Sequence, residues 1–305
     1  MGFFKRIKRF SFLAAIIVAA LIAAVMILPE RIERVTDRTI VPDRPETSPR
    51  EKAFPSRTPT KSPSEAERRG RPIAVIIDDI GYDLRLVEEL ARIGAPLAFA
   101  ILPHTPHAVE AARLLHGAGK EILLHMPMEP RSYPAENPGA GALFVHMNEE
   151  EIRRRIEAGI AAVPYILGVN NHMGSRFMED EAKLFVVMKE LAKRGLFFVD
   201  SRTTPDSRGR AAAARAGVRF LERAVFIDHP SGYATALANL THPPRQALEK
   251  RRPLLLIGHP IPGTVRALKE ASLLWQNEGV RIIPVSACFN VPDGKEKTGT
   301  LATKR

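Results

Sequence analysis

Carboxylates and imidazoles follow several short apolar runs of this chain, at the point where each run ends. The runs are IAVII, EILL, ILGV, LFFV, VFI and LLLIG. The polar residues after them are Asp78, Asp79, His125, Asn170, Asn171, His172, Asp200, Ser201, Arg202, Asp228, His229 and His259. Singly, an Asp here is commonly a helix N-cap and a His a packed core residue. Six coincidences of this kind together predict an active or ligand-binding site.

The chemistry of such a set is that of a divalent metal. The chain has one cysteine, Cys288, which excludes a disulfide framework and a multi-cysteine zinc site. Imidazole and carboxylate ligands suit zinc first and a similar or harder metal second. A metal of this type lowers the pKa of a bound water toward about 7 and polarises a carbonyl, as amide or ester hydrolysis requires.

The adjacent pair Asp78 and Asp79 offers a division of labour. If one carboxylate binds the cation, the other stays free to take a proton from the attacking water. In a regular strand the two side chains would face opposite ways. Because the pair stands where the turn at Gly81 begins, both can reach one site.

The sequence predicts that alternating strands and helices position these residues. From Pro72, continuous Val, Ile and Leu runs alternate with amphipathic stretches, which predicts parallel strands buried on both faces. The predicted strands cover 73–77, 96–102, 121–125, 166–173, 196–200, 218–228, 254–259 and 280–285. Seven or eight such units in a chain of this size favour a barrel over an open sheet. The carboxyl ends of barrel strands meet at one face, where ligands bind.

The flanks of this region have a different composition. Residues 12–28 are uncharged and almost wholly apolar, follow four basic residues, and are long enough for a membrane anchor of roughly 26 Å. A cleaved secretory signal and a buried core helix are the alternatives to this anchor. We predict a basic start and signal anchor over 1–29, a disordered Pro- and charge-rich linker over 30–71, a barrel over 72–291 and a disordered tail over 292–305.

The net charge of +11 resides mainly in those flanks. Residues 1–71 hold 15 Lys and Arg against 8 Asp and Glu, whereas residues 72–290 hold 26 against 24. A nearly neutral folded part argues against nucleic acid as the partner. We expect a single-pass protein of the inner membrane, with its folded domain on the periplasmic or other extracytoplasmic side.

Several motifs resemble one known family. IAVIIDDIG, GKEILLHMPMEP, NNHMGSRF, FFVDSRT and LLLIGHP are similar to motifs of the divergent polysaccharide deacetylases, an exported branch of the carbohydrate esterases with the NodB-homology fold. The resemblance runs from Pro72 to about Val291. It implies a distorted (β/α)7 barrel and metal-dependent N-deacetylation, with Asp78 as the base, Asp79 and His125 as metal ligands and His259 as the general acid.

The chain also departs from that family. The family's second ligand histidine, four residues after the first, is replaced by Glu129, and Pro127 and Pro130 disfavour the helical turn that would align it. The family's Arg-x-Pro motif is missing, and NNHMGSRF stands in its place. Strand alternation points His172 the same way as Asn170, so His172 is the predicted third ligand and Glu129 the alternative.

Three functional hypotheses follow. The first is an exported, anchored hydrolase that uses zinc or a similar metal to remove an N-acetyl or other acyl group from an envelope glycan. The remaining strand-end residues are then assigned to substrate binding: Asn170, Asp200, Ser201, Arg202, Asp228 and His229. The second is a non-catalytic envelope protein whose barrel pocket binds glycan, lipid or a protein partner. A phosphoesterase is the third and weakest, because the strand ends carry few basic residues.

Overall fold

The computed structural model describes residues 72–244, 247 and 253–291. The predicted anchor, the linker and the C-terminal tail lie outside these residues. Within them, none of the helices combines the length and the apolar character that crossing a bilayer requires.

Strands and helices alternate throughout this region. The strands are β1 (Ile73–Ile80), β2 (Ala98–Ile101), β3 (Glu121–Met128), β4 (Ile166–Met173), β5 (Phe197–Asp200), β6 (Phe220–Glu222), β7 (Val225–Phe226) and β8 (Leu254–Gly258). The helices are α1 (Leu84–Ala91), α2 (Ala108–Gly117), α3 (Glu149–Ala162), α4 (Glu181–Ala192), α5 (Gly209–Ala216), α6 (Tyr233–Thr241) and α7 (Pro262–Glu278), with 3-10 turns at Phe177–Glu179 and Ser286–Asn290.

Three of the helices in the described residues, α1, α3 and α4, begin at a side chain that accepts from free backbone N–H groups. Asn148 accepts from the backbone N–H of Glu151 at 2.9 Å, and the Glu151 carboxylate accepts from that of Asn148 at 2.8 Å, which forms a capping box before α3. Asp83 and Asp180 cap α1 and α4 in the same way. At these three helices the cap fixes where the preceding segment ends.

The strands form one curled parallel sheet, as the sequence predicts. Its order is β6-β5-β4-β3-β2-β1-β8-β7, so β1 pairs with both β2 and β8. The two edge strands, β6 and β7, are consecutive in the chain. Between them the chain changes its hydrogen-bonding neighbour from one side of the sheet to the other. The Arg223 backbone N–H donates to Asp200 of β5, and the Ala224 backbone N–H donates to Leu255 of β8.

That change of neighbour explains two differences from the sequence prediction. The single strand expected over 218–228 is split after Glu222, because the next two backbone N–H groups donate to different strands. The Arg223 guanidinium donates to the carbonyls of Ser201 and Arg202 at this point. The predicted seven-strand ring is therefore a curled sheet of eight strands in the described residues, with its edges joined through two residues. The alternating parallel architecture is confirmed.

Alternate residues of each strand belong to two different apolar clusters. One set, including Val75, Ile77 and Leu124, packs with the helices. The other set, including Ala74, Ile76 and Leu123, fills the inside of the curl, and in the described part of the chain it contains no residue of the α-helices. Period-two alternation therefore decides which strand-end side chains point inward.

The end of the curl opposite the site is covered by the 3-10 turn Ser286–Asn290. Glu121, at the start of β3, accepts from the Ser286 backbone N–H at 3.1 Å and from its hydroxyl. Cys288 is buried there, and burial raises the pKa of its thiol to about 12. The strand predicted over 280–285 is wrong: in the residues that the structure describes, this segment forms a single bridge, from Ile282 to Ile73, before Pro284 and the turn end the pairing.

Gly168 supplies a test of this interior packing. A β-carbon there would lie 2.4 Å from the ring of Phe197, within the curl. We expect Gly168→Ala to lower the free energy of unfolding by about 1–3 kcal/mol through overpacking, measured by urea denaturation. Gly117→Ala is the control, because a β-carbon at that position would have no neighbouring atom of the described residues within 4 Å, and it should be neutral or slightly stabilising. Equal effects of the two substitutions would contradict this packing.

Candidate active site

Two adjacent carboxylates reach the same site because β1 ends irregularly. Its pairing with β2 shifts register between Ile77 and Ile80. Asp78 continues the inward series of Ala74 and Ile76 and is 2% exposed. Asp79 would point outward in a regular strand, but its φ of 57° places it in the left-handed region and turns its side chain toward the same site.

Asp79, His125 and His172 bring one ligand atom each to a common point. Asp79 Oδ1 lies 2.9 Å from His172 Nδ1 and 3.2 Å from His125 Nε2. The two imidazole nitrogens are 3.1 Å apart. The structure thus brings together the three predicted ligands, from near the end of β1 and from the carboxyl-terminal halves of β3 and β4.

The donor set fits a divalent metal. Tetrahedral zinc with bonds of 2.0–2.1 Å places its ligand atoms roughly 3.3 Å apart, close to the separations seen here. Asp79 Oδ1 is buried and, within the described residues, has no hydrogen-bond partner of good alignment, although two ring nitrogens lie near it. A buried acceptor left in this way has bonding capacity that a cation would satisfy.

The pKa shifts of Asp79 and His125 agree with that fit. Burial alone would raise the pKa of Asp79, but its contacts with His125 and His172 hold that pKa well below its usual range. Burial opposes a charge on His125, yet the charges of Asp78 and Asp79 raise its pKa. Both shifts reflect carboxylates and imidazoles held close together, which is the arrangement that favours a bound cation.

Asp78 is the buried carboxylate beside this cluster. Its Oδ2 lies 3.7 Å from His125 Nε2, and its Oδ1 accepts from the side-chain amide of Asn170 at 2.8 Å. Burial raises its pKa, against the attraction of His125 and His259. A carboxylate with a raised pKa that does not belong to the ligand cluster is suited to accept a proton.

His259, which directly follows β8, is held in place by Asp228. One carboxylate oxygen of Asp228 lies 3.1 Å from His259 Nδ1, and the other accepts from the His259 backbone N–H at 2.7 Å and the Thr264 hydroxyl at 3.0 Å. Burial opposes the charged imidazole, but the hydrogen bond and charge of Asp228 outweigh it and raise the pKa of His259 to about 9. His259 is therefore a cation at neutral pH, as a proton donor must be.

This pair predicts a titration. In the metal-free protein the His259 Cε1 proton should titrate at about pH 9 by NMR, and Asp228→Asn should bring the midpoint down toward about 6.5 or lower. His229→Ala, a change at the exposed neighbour of Asp228, should leave the midpoint unchanged. The stability from the raised His259 pKa is complete below pH about 6.5 and is lost as the pH rises through about 9. A midpoint that Asp228→Asn does not move would contradict this pairing.

Two of the predicted substrate-binding residues have other contacts. Asn170 is 0% exposed and bonds to Asp78 and His125, while Asp228 is committed to His259 and Thr264. Both side chains thus bond to other groups of the site, as buried polar groups do, and their substrate contacts stay a prediction.

The strand-end residues of β5 likewise fix a loop. Asp200 accepts from the backbone N–H of Arg202 at 2.7 Å and the hydroxyl of Ser207 at 2.6 Å. Ser201 is buried and donates its backbone N–H to Asn171. Arg202 lies 3.7 Å from Glu222 and donates to the carbonyl of Pro205. These contacts hold the loop after β5, and the substrate contacts expected of these residues stay a prediction.

The remaining candidates are also accounted for. His229 is exposed, and no contact in the described residues joins it to the cluster. The alternative ligand Glu129 points elsewhere: its carboxylate accepts from the Val145 backbone N–H at 2.7 Å and from Arg176 at 2.8 Å. Glu129 thereby ties the loop after β3 to the segment after β4.

An open cleft of about 310 Å³ adjoins the cluster, and Asp79 and His172 lie at its base. Its walls are formed by Tyr82, Leu102, Pro103, His104, Thr105, Pro127, Asn137, Pro138, Gly139 and Ala140. The sequence analysis did not identify Tyr82, which is 65% exposed. The signal available for Tyr82 was its position just after the Asp78-Asp79 pair. Among the residues that the structure describes, no lysine or arginine lines this cleft.

The cluster of two imidazoles and a carboxylate, with a second carboxylate beside it, lies on one curled parallel sheet. Residues 75–289 match the family model described as divergent polysaccharide deacetylase. The chain is 34% identical to the Escherichia coli K12 protein YibQ over 224 residues, covering 72% of this chain and 68% of that protein. It is 31% identical to a Haemophilus influenzae protein over 226 residues, covering 70% and 79%. The chain therefore belongs to the divergent polysaccharide deacetylase family.

The fold has a counterpart among solved structures. The crystal structure of a protein from Agrobacterium tumefaciens C58 aligns with a TM-score of 0.66 at 22% identity, covering 75% of this chain and 91% of that one. At that identity the likeness shows the fold.

Proposed function

We propose that this chain is an exported metal-dependent hydrolase that removes an acyl group, N-acetyl first, from an envelope glycan. The observation that carries the proposal is the convergence of Asp79, His125 and His172 beside two further groups with separate partners, Asp78 and His259. Ligands, a buried base and an oriented acid are the parts that hydrolysis of an amide requires.

Each residue then has a stated task. Asp79, His125 and His172 would hold the divalent cation, zinc first, which when bound polarises the acyl carbonyl and lowers the pKa of water. Asp78 takes the proton of the attacking water, since its carboxylate is buried and outside the ligand cluster. His259 carries its proton on the imidazole that Asp228 orients, and gives it to the leaving amine.

The cleft supports an uncharged acylated saccharide as the substrate. Its volume of about 310 Å³ accommodates about one sugar ring, and the described residues of its walls include no lysine or arginine. A phosphoester would require such groups to balance its charge. Tyr82 offers an exposed aromatic ring at the edge of the cleft.

The exported location rests on sequence outside the described residues. The apolar run 12–28 after Lys5, Arg6, Lys8 and Arg9 supports a single-pass anchor in the inner membrane with the folded domain outside the cytoplasm. Alkaline phosphatase fused after Arg305 tests this, because that enzyme is active only when exported. An inactive fusion that is stably produced would contradict export.

The function is tested by acetate release. The full chain, purified in detergent, is stripped with chelator, reloaded with zinc, cobalt, nickel or manganese, and incubated with N-acetylglucosamine oligomers and with O-acetylated xylan. Metal-dependent acetate release supports the proposal. A protein that holds stoichiometric metal and binds the glycan without releasing acetate would be a binding protein, a function favoured by the replacement of the family's second histidine with Glu129.

A further inference from the structure

We infer that Asn170 is a positioning residue that couples the proton acceptor to a metal ligand. Its amide lies between Asp78 and His125, with Nδ2 donating to Asp78 Oδ1 at 2.8 Å and Oδ1 lying 2.8 Å from His125 Nδ1. One side chain thus contacts both functional groups. The inference rests on the proposed function and deepens it.

The direction of these hydrogen bonds follows from chemistry. An ionised Asp78 only accepts hydrogen bonds, so the NH2 end of the amide faces it and the oxygen end faces His125. An oxygen only accepts, so His125 Nδ1 must carry a proton. The lone pair for a cation is then on His125 Nε2, the nitrogen that lies 3.2 Å from Asp79 Oδ1. Asn170 therefore selects the tautomer that the ligand cluster needs.

Packing leaves the amide no other role. Asn170 is 0% exposed, and its backbone stands opposite that of His125 in the β3–β4 ladder. Its NH2 group also lies 3.5 Å from the hydroxyl of Ser201, just after β5. Because strands on both sides contact it, rotation of the amide would break contacts with three neighbours at once.

The two hydrogen bonds can be separated by substitution. Asn170→Asp keeps an oxygen that accepts from His125 Nδ1 but replaces the donor to Asp78 with a second oxygen. Asn170→Ala removes both partners. Asn171→Ala is the matched control, since Asn171 is 1% exposed on the same strand but bonds to Met173 and Ser201 instead.

The test is zinc affinity and turnover of the full chain in each variant. Affinity for zinc alone is measured by competition with a chromogenic chelator, turnover by acetate release, and protonation of His125 Nδ1 in the zinc-loaded protein by ¹⁵N NMR. We expect Asn170→Ala to weaken zinc binding about 10- to 100-fold and to lower kcat. Asn170→Asp should keep zinc affinity within about threefold and still lower kcat. Asn171→Ala should keep zinc affinity.

Each adverse result has a distinct meaning. If the wild-type chain binds zinc and releases acetate but Asn170→Ala binds zinc equally well, the inference is overturned and the proposed function stands. If Asn170→Asp weakens zinc as much as Asn170→Ala does, the acceptor role is wrong. If the wild-type chain binds no metal, the proposed function itself fails, and the inference fails with it. Circular dichroism confirms that each variant is folded.

Discussion

Asp78→Asn is expected to lower kcat by about 10²- to 10⁴-fold while the metal remains bound. The reason is that Asp78 is 2% exposed, has a pKa raised by burial and lies outside the three-residue cluster. Asparagine keeps the size of the side chain and an oxygen for the Asn170 amide, but it cannot take a proton. Turnover by acetate release and metal content by mass spectrometry are measured on the same preparations.

The control for this substitution is Asp83→Asn. Asp83 caps α1, and asparagine caps helices as well as aspartate does, so turnover should be unchanged. A kcat for Asp78→Asn within about threefold of wild type would assign the base to another group. Loss of the metal in Asp78→Asn would instead make Asp78 a ligand.

Alanine at Asp79 or His125 is expected to abolish stoichiometric zinc and, with it, the stabilisation that zinc gives. A ligand at 100 times its Kd stabilises the folded state by about 2.7 kcal/mol, which raises the Tm of the wild-type chain. Without Asp79, the cluster loses its carboxylate, and without His125 it loses its most buried nitrogen. Scanning calorimetry with and without zinc measures the effect.

In the same experiment, Glu129→Gln tests whether Glu129, rather than His172, is the third metal ligand. Glu129 is 3% exposed and is bonded to Val145 and Arg176, so the variant should unfold at a lower temperature yet keep its zinc. Zinc lost in Glu129→Gln and kept in His172→Ala would reverse the choice of third ligand.

The alternation of strands accounts for what the sequence predicted well. His125 continues the inward series of Leu123. Asn170 and His172 share the strand face of Gly168, which stands against the inward Phe197 ring, so the period of two assigns them to the inside of the curl. The parallel α/β architecture follows from the same apolar runs. The alternation of strand residues predicts the wrong direction for the Asp79 side chain. Its backbone is left-handed, a local irregularity that the spacing of residues in the sequence does not specify.

The hydrogen-bond partners of these side chains were harder to predict from the sequence than their positions in the sheet. Asn170 and Asp228 stand at strand ends like the ligands, and only their distances to His125 and His259 reveal that they orient other groups. Glu129 stands where the family has a ligand, but its direction depends on how the loop after β3 folds back to Val145. Loop paths of this kind depend on many weak contacts and are not encoded in a short motif.

The pairing of β1 with β8 has a consequence for how the chain folds. Asp79 lies near the end of β1 and His259 directly follows β8, although most of the described sequence separates them. Contacts between such distant segments form only after the entropic cost of closing a long loop has been met, so they are typical of slow folding. The proposed acid and the proposed ligands therefore meet only when the last strand docks beside the first. A partly synthesised chain that ends before β8 would contain Asp79, His125 and His172 without His259, so the proposed proton donor would be absent.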